Sequence, residues 1–286
     1  MYDYHIHMPC RSKDTPDEFL RKTAEAGISG GAVISPLPAS HSPVPGADQR
    51  WEHRLDTVLE FTSSIPFLPV FWIDPTEPDA FEQISCAASA GIWGFKCICN
   101  RYAPEACLKQ FAAMAETGLP IHFHTGILFD HYASSKFTRP AAYECLLEVP
   151  NIRFALAHVG NPWVDEYVLL YAKFQAAMRN APGVRRLRMF IDLTPGVTRL
   201  RRHDMFRMLL LSGYANPCSD IIWGTDCLFN SYDVNKTAFW LDFDKKLIGK
   251  VAEDSKAKPD LYPQLPDDLW RRITEENLLA FYGKQP

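Results

Sequence analysis

The sequence predicts an α/β protein built as a single-domain (β/α)8 TIM barrel spanning residues 1–286, and three observations carry that expectation. Short β-rich apolar runs alternate with longer amphipathic stretches eight times, the pattern of a parallel sheet with crossover helices. The chain has 286 residues, a length at which eight such units can close into one barrel. No glycine-rich phosphate loop follows the first run, which weakens the competing open doubly wound sheet.

In chain order, buried strands are expected at Tyr2–His7, Gly31–Ser35, Phe67–Ile73, Trp93–Ile98, Pro120–His124, Arg153–His158, Arg188–Leu193 and Ile221–Thr225. Between them lie helical stretches: TPDEFLRKTAEAG, RWEHRLDTVLEFTSS, DAFEQISCAASAG, PEACLKQFAAMAETG, PAAYECLLEV, WVDEYVLLYAKFQAAM and HDMFRMLLLSG. Thr15-Pro16-Asp17-Glu18 is a helix start, and Gly27, Gly91, Gly118 and Gly213 stand where a helix stops. Pro36–Gly46, Ile127–Arg139 and Phe229–Pro266 read as irregular. The last two follow strands five and eight, on the face where such barrels carry their sites.

Composition narrows the function. With 47% hydrophobic and 22% charged residues the chain can bury an ordinary globular core. A net charge of −4 argues against nucleic acid or an anionic membrane as partner, and the short basic run Arg185-Arg186-x-Arg188 reads as a solvated turn. No uncharged apolar run is long enough to cross a membrane. The start, MYDYHIHMPC, lacks the pattern of a secretion signal, and the eight cysteines show no CxxC spacing, so reduced thiols and a cytoplasmic location are expected.

The chemistry is concentrated at strand ends. His5-x-His7 closes the first strand and His122-x-His124 the fifth. Residues i and i+2 share a face of a strand but point about 200° apart on a helix, so each pair aims into the barrel at its carboxyl end. The same parity brings Lys96, His158 and Asp226 to that mouth from strands four, six and eight. Burying so many polar groups side by side is costly unless something compensates them. A divalent cation does, since neutral imidazole and carboxylate are its natural ligands.

The strand-end residues Asp3-x-His5-x-His7, Gly94-Phe95-Lys96, Leu119-Pro120 through His124-Thr125-Gly126, Leu156-Ala157-His158-x-Gly160 and Gly224-Thr225-Asp226 together resemble the amidohydrolase superfamily. More narrowly they resemble its amidohydrolase-2 branch of TIM-barrel hydrolases and decarboxylases, and the tail EENLLAFYG resembles that branch's closing helix. The resemblance implies one divalent ion held by His5, His7, His124 and Asp226, with Zn²⁺ expected first and Mn²⁺ or Fe²⁺ next. It gives His158 the substrate or a developing oxyanion, and Asp226 the proton of a metal-activated water. The implied reaction is hydrolysis of an amide, lactone or ester bond in a small anionic substrate. The alternative is non-oxidative decarboxylation of an aromatic or unsaturated acid at the same site. Lys96 is expected to touch substrate; its other role in the superfamily, carboxylated and bridging a second metal, is the lesser expectation. A homo-oligomer is expected by analogy alone.

Other residues are weighed against plainer roles. His122 lies one layer deeper than His124 and reads as hydrogen-bonded filling, and HVGN after strand six replaces the branch's more usual double glycine. Asp3 and Asp192 have inward parity and suit the orientation of a ligand. Arg101, Arg139 and Arg199 follow strands four, five and seven and would clamp a substrate carboxylate if they face inward. Trp163, Trp223 and Trp240 are candidate pocket walls. His41, His53, His131 and His203 fall on loops or helices and read as surface or capping residues, with His131 placed to overhang the metal. A cupin barrel is disfavoured, because Ile127-Leu128 stand where it needs an acid.

Overall fold

The computed structural model describes residues 1–9, 15–41, 50–180, 186–214 and 216–283; Cys10, Arg185 and residues 42–46 of the loop expected after strand two lie outside them. Among the described residues nine strands run parallel: β1 (Tyr2–His7), β2 (Gly30–Ile34), β3 (Phe67–Trp72), β4 (Gly94–Cys97), β5 (Ile121–Phe123), β6 (Arg153–Leu156), β7 (Arg188–Asp192), β8 (Ile221–Ile222) and β9 (Cys227–Leu228). They hydrogen-bond in the order β8-β7-β6-β5-β4-β3-β2-β1-β9. Because β8 pairs with β7 and β9 with β1, residues 221–228 join the two ends of the sheet. Tyr4 N–H donates to the Trp223 carbonyl at 3.3 Å, and Asp226 N–H to the His5 carbonyl at 2.9 Å, along the same seam. The eighth expected strand, Ile221–Thr225, is therefore the first part of a barrel stave that runs on to Leu228, with Asp226 between its two paired pieces at a left-handed φ of 57°.

The helices around the ring are α1 (Pro16–Glu25), α2 (Trp51–Thr62), α3 (Ala80–Ser89), α4 (Leu108–Glu116), α5 (Ser135–Thr138), α6 (Val164–Asn180), α7 (Arg199–Leu211), α8 (Val234–Ala257), α9 (Leu269–Arg271) and α10 (Asn277–Phe281). The Thr15 hydroxyl caps α1 by accepting Glu18 N–H at 3.3 Å, as the start signal predicts. Gly27, which ends that helix, has φ +79°, open to glycine without strain. PAAYECLLEV departs from expectation: Pro140–Glu148 winds as 3-10 turns. So does Phe229–Pro266, which contains the 24-residue α8. Its buried stripe includes Asp244 among Leu241, Leu247, Ile248 and Val251, and that carboxylate blurs the apolar period.

Asp244 is compensated in place. Arg202 of α7 donates Nε to Asp244 Oδ1 at 2.6 Å and Nη2 to Oδ2 at 2.7 Å, while Trp223 Nε1 donates to Oδ2 at 3.2 Å. Both members of this two-pronged ion pair are fully buried, and they lock α7, α8 and the last stave together.

Two apolar layers hold the barrel. The outer one packs helices on the ring and contains Phe19, Phe71, Phe111, Phe154 and Ile191. The inner one fills the ring with Tyr4, Ala32, Ile34, Val70, Trp72, Ala155, Phe190 and Ile222. Leu278, Phe281 and Tyr282 from α10 and its end join that inner layer, so the closing tail floors the barrel. Tyr282 OH lies 3.0 Å from His122 Nε2, and His122 stacks on Tyr4 at 4.9 Å, the filling role expected of that histidine. With the floor plugged, the polar strand ends face the opposite mouth.

Candidate metal centre

Strand β1 brings His5 and His7 to the mouth with their Nε2 atoms 3.1 Å apart. Asp226 reaches them from the interrupted stave: its Oδ1 is 3.2 Å from His7 Nε2 and 3.7 Å from His5 Nε2. Among the described residues these three offer one ligand atom each, all within 4.8 Å of one another. His5 is fully buried, whereas the Asp226 side chain is 36% exposed, so the cluster opens toward solvent on the carboxylate's side.

The network beneath fixes which nitrogen of His5 is free. Asp192 Oδ2 lies 2.9 Å from His5 Nδ1 and also accepts from Tyr4 OH at 2.5 Å, and Asp192 Oδ1 accepts Thr194 N–H at 2.6 Å. An ionised carboxylate only accepts, so the His5 proton sits on Nδ1 and the Nε2 lone pair faces the cluster. Asp3 works on the backbone instead, accepting from His5 N–H and from the N–H and hydroxyl of Thr225, beside Asp226.

Electrostatics agree with a ligand set. Burial lowers His5 to about 4, with Lys96 adding to the effect, and burial also lowers His7, His122 and His124. Neutral imidazoles are the ligand form. Burial alone would raise the Asp226 carboxyl, but the hydrogen bond to His7 and the rings of His158 and His5 hold it well below the usual range. Burial likewise opposes ionisation of Asp192, and His5 and Tyr4 overcome it.

His124 stands just past β5, its own N–H donating to the Cys97 carbonyl and its carbonyl accepting Tyr143 OH at 2.8 Å. Its ring lies 4.9 Å from that of His158, and it is outside the three-residue group. Its Nε2 is buried with no hydrogen-bond partner among the described residues. Such an atom is costly to leave unmatched, and an ion at the cluster is the partner its chemistry fits. His158 is reached through a turn rather than a strand: β6 ends at Leu156, and His158 and Val159 have φ of 61° and 48°. Its Nε2 comes within 4.0 Å of Asp226 Oδ2. Lys96, 1% exposed, places Nζ 3.2 Å from His5 Nε2.

The three arginines are engaged separately. Arg139 bonds Glu166 at 2.6 Å and lies over Trp163, and Arg199 lies over Phe239 on α8. Arg101 donates to Asp74 at 3.1 Å and covers Tyr132. It connects to the cluster through a continuous wall: the Trp72 ring is 5.2 Å from His7 and 6.0 Å from His41, and His41 Nδ1 is 4.0 Å from Asp74. His41 is thus an inner-wall residue rather than a surface one, and Trp72 rather than Trp163, Trp223 or Trp240 packs against a candidate ligand. Trp72, His41, Asp74 and Thr194 carry no local motif; only the inward parity of Trp72, in register with Lys96, could have pointed to it.

A family model described as amidohydrolase matches residues 6–284. No curated protein matches the chain. Among solved structures the chain is similar to a dihydroorotase from Campylobacter jejuni, at 13% identity over 100% of this chain and 83% of that one, with a TM-score of 0.57. It is also similar to a chloride-inhibited dihydrodipicolinate synthase from Acinetobacter baumannii, complexed with pyruvate, at 10% identity over 98% and 99% of the two chains, with a TM-score of 0.52. At these identities the likeness is one of barrel fold.

Proposed function

Because the chain belongs to the amidohydrolase family, we propose that this enzyme hydrolyses an amide, lactone or ester bond of a small anionic molecule with the help of one divalent ion. The observation that carries the reading is the convergence of His5, His7 and Asp226 donors within 4.8 Å at the open end of the barrel. His5, His7 and Asp226 would hold the ion, with His124, whose buried Nε2 has no hydrogen-bond partner among the described residues, added as the fourth ligand. Zn²⁺ suits this imidazole-rich set, and Mn²⁺ or Fe²⁺ would also be accepted. When bound, the ion supplies acidity to water and polarisation to the scissile carbonyl.

The chain's own residues divide the rest. Asp226 is exposed enough to meet the attacking water and takes its proton, then passes it to the leaving group. His158 supports the oxygen that gains charge at the carbonyl. Lys96 beside His5 and Arg101 at the end of the Trp72–His41–Asp74 wall place N–H donors on one side of the centre, which supports a substrate rich in acceptor oxygens such as a carboxylate. Asp74 holds Arg101 in place.

The test is a panel of small acids carrying amide, lactone and ester bonds, assayed with protein of known metal content, alongside aromatic acids followed for carbon dioxide. Hydrolysis that is lost in Asp226→Asn supports the reading. Carbon dioxide release from aromatic acids, with every hydrolysable bond left intact, overturns it in favour of a decarboxylase.

A further inference from the structure

Thr194 lies two residues past the end of β7, fully buried, and neither its position nor its type marks it in the sequence. Its hydroxyl is 3.0 Å from His158 Nδ1. Its orientation is set by packing: a Cβ built on Gly224 would lie 3.1 Å from the Thr194 methyl, so the methyl seats against that glycine and the hydroxyl is left facing His158. His158 is equally confined. A Cβ on Gly196 would fall 2.6 Å from the His158 Cβ, and the left-handed turn through His158 and Val159 holds the ring over the cluster.

The identity of the two groups decides where the histidine proton sits. Among the described residues the Thr194 hydroxyl has His158 Nδ1 as its hydrogen-bond partner. If Nδ1 carried the proton and donated, the hydroxyl's own proton would be buried without an acceptor, a state disfavoured by roughly ten-fold or more. If the hydroxyl donates to a bare Nδ1, both groups are satisfied and the ring proton moves to Nε2. That atom faces the cluster, 4.0 Å from Asp226 Oδ2.

We propose that Thr194 is a positioning residue that fixes His158 as the Nε2–H tautomer, making it a hydrogen-bond donor to substrate oxygen rather than a metal ligand. His5 is set the opposite way by Asp192, which can only accept and so leaves its Nε2 bare for an ion. Thr194 N–H bonds Asp192 Oδ1 at 2.6 Å, so one short segment, Asp192-Leu193-Thr194, assigns opposite tautomers to two histidines of one centre. The function given to the donor rests on the hydrolase reading above; the tautomer itself does not.

The experiment is nitrogen–proton correlation NMR of protein labelled in its histidine rings, before and after titration with zinc, with His158 identified by a His158→Gln variant. The expected result is protonated Nε2 and bare Nδ1 at His158 in the wild type. Thr194→Ser, which keeps the hydroxyl, should retain that pattern, and Thr194→Val, which keeps the shape, should lose the preference. A wild-type His158 protonated on Nδ1, or a Thr194→Val variant with an unchanged pattern, overturns the assignment. Zinc binding separates the two readings: wild type that takes up no zinc sinks the metal-dependent hydrolase and leaves the tautomer result standing. Zinc uptake with His158 protonated on Nδ1 sinks the Thr194 assignment alone.

Discussion

Replacing Asp192 by asparagine changes one atom's chemistry and should weaken the metal site ten- to a hundred-fold. In the wild type Oδ1 accepts Thr194 N–H at 2.6 Å, while Oδ2 accepts from Tyr4 OH at 2.5 Å and holds His5 Nδ1 at 2.9 Å. Asparagine retains one acceptor oxygen and gains an amide that can only donate. If the oxygen stays with Thr194, the amide faces His5 Nδ1, draws the lone pair to that side and puts the proton on Nε2, 3.1 Å from His7 Nε2, where it blocks coordination. If the amide flips, the Thr194 N–H is stranded in a site with no exposure, at about 1–3 kcal/mol. Binding an ion requires the second arrangement, so the variant gives up about 1–3 kcal/mol on loading, which brackets the ten- to hundred-fold loss, about 1.4–2.7 kcal/mol, that follows removal of a carboxylate behind a metal-bound histidine. Competition between the protein and a chromophoric chelator for zinc reads this directly, with circular dichroism to show that the barrel persists. Affinity within two-fold of wild type in a folded variant would refute the reasoning, because Asp192 would then be ordinary core filling.

Three further outcomes follow from separate parts of the molecule. Asp244→Ala strands the buried Arg202 guanidinium and should cost about 3–5 kcal/mol in urea unfolding, and a loss below 1 kcal/mol would mean that solvent reaches the pair. Gly196→Ala drives a methyl to 2.6 Å from the His158 Cβ; it should destabilise the fold by about 1–3 kcal/mol and displace His158, and activity equal to wild type would contradict that placement. Asp74 supplies a pH dependence. Burial alone would raise its carboxyl, but bonds from Ser40 and Thr76 and the neighbouring His41 hold it below the usual 3.8. The unfolded chain then binds the proton first as pH falls, so the stabilisation from Asp74 is complete above pH 3.8 and is lost as pH drops through the folded value. The difference in urea midpoint between wild type and Asp74→Asn should therefore shrink on acidification below pH 3.8, and a constant difference would exclude this source.

The barrel was legible because a fully buried strand needs only an apolar run, and all eight staves announce themselves that way. The two histidines of β1 were legible for the same reason, since strand parity fixes where they point. Parity named His158 and Asp226 as well, but not the way they arrive, because the chain leaves the strand before each of them. His158 and Asp226 reach the centre from left-handed backbone at φ of 61° and 57°, a conformation that no periodicity signals. Helix α8 was hidden because Asp244 interrupts its apolar stripe, and only the distant Arg202 makes that carboxylate tolerable. Thr194 and His41 matter through contacts with residues far away in sequence, of which a single chain carries no local mark, and Trp72 had only its inward parity to point to it. The arginines show the converse: three positions after strands are readable, but the partners Asp74, Glu166 and Phe239 that engage them are set by packing.

The central claim is that one divalent ion belongs at the meeting point of His5, His7 and Asp226. Elemental analysis of protein purified without chelator or added metal tests it most directly, run beside the double variant His5→Ala/His7→Ala. The account predicts about one divalent ion per wild-type chain, by the three-ligand logic of catalytic zinc sites, and its near-complete loss in the variant. An active wild-type sample without stoichiometric metal, or a double variant that keeps its ion, would contradict it.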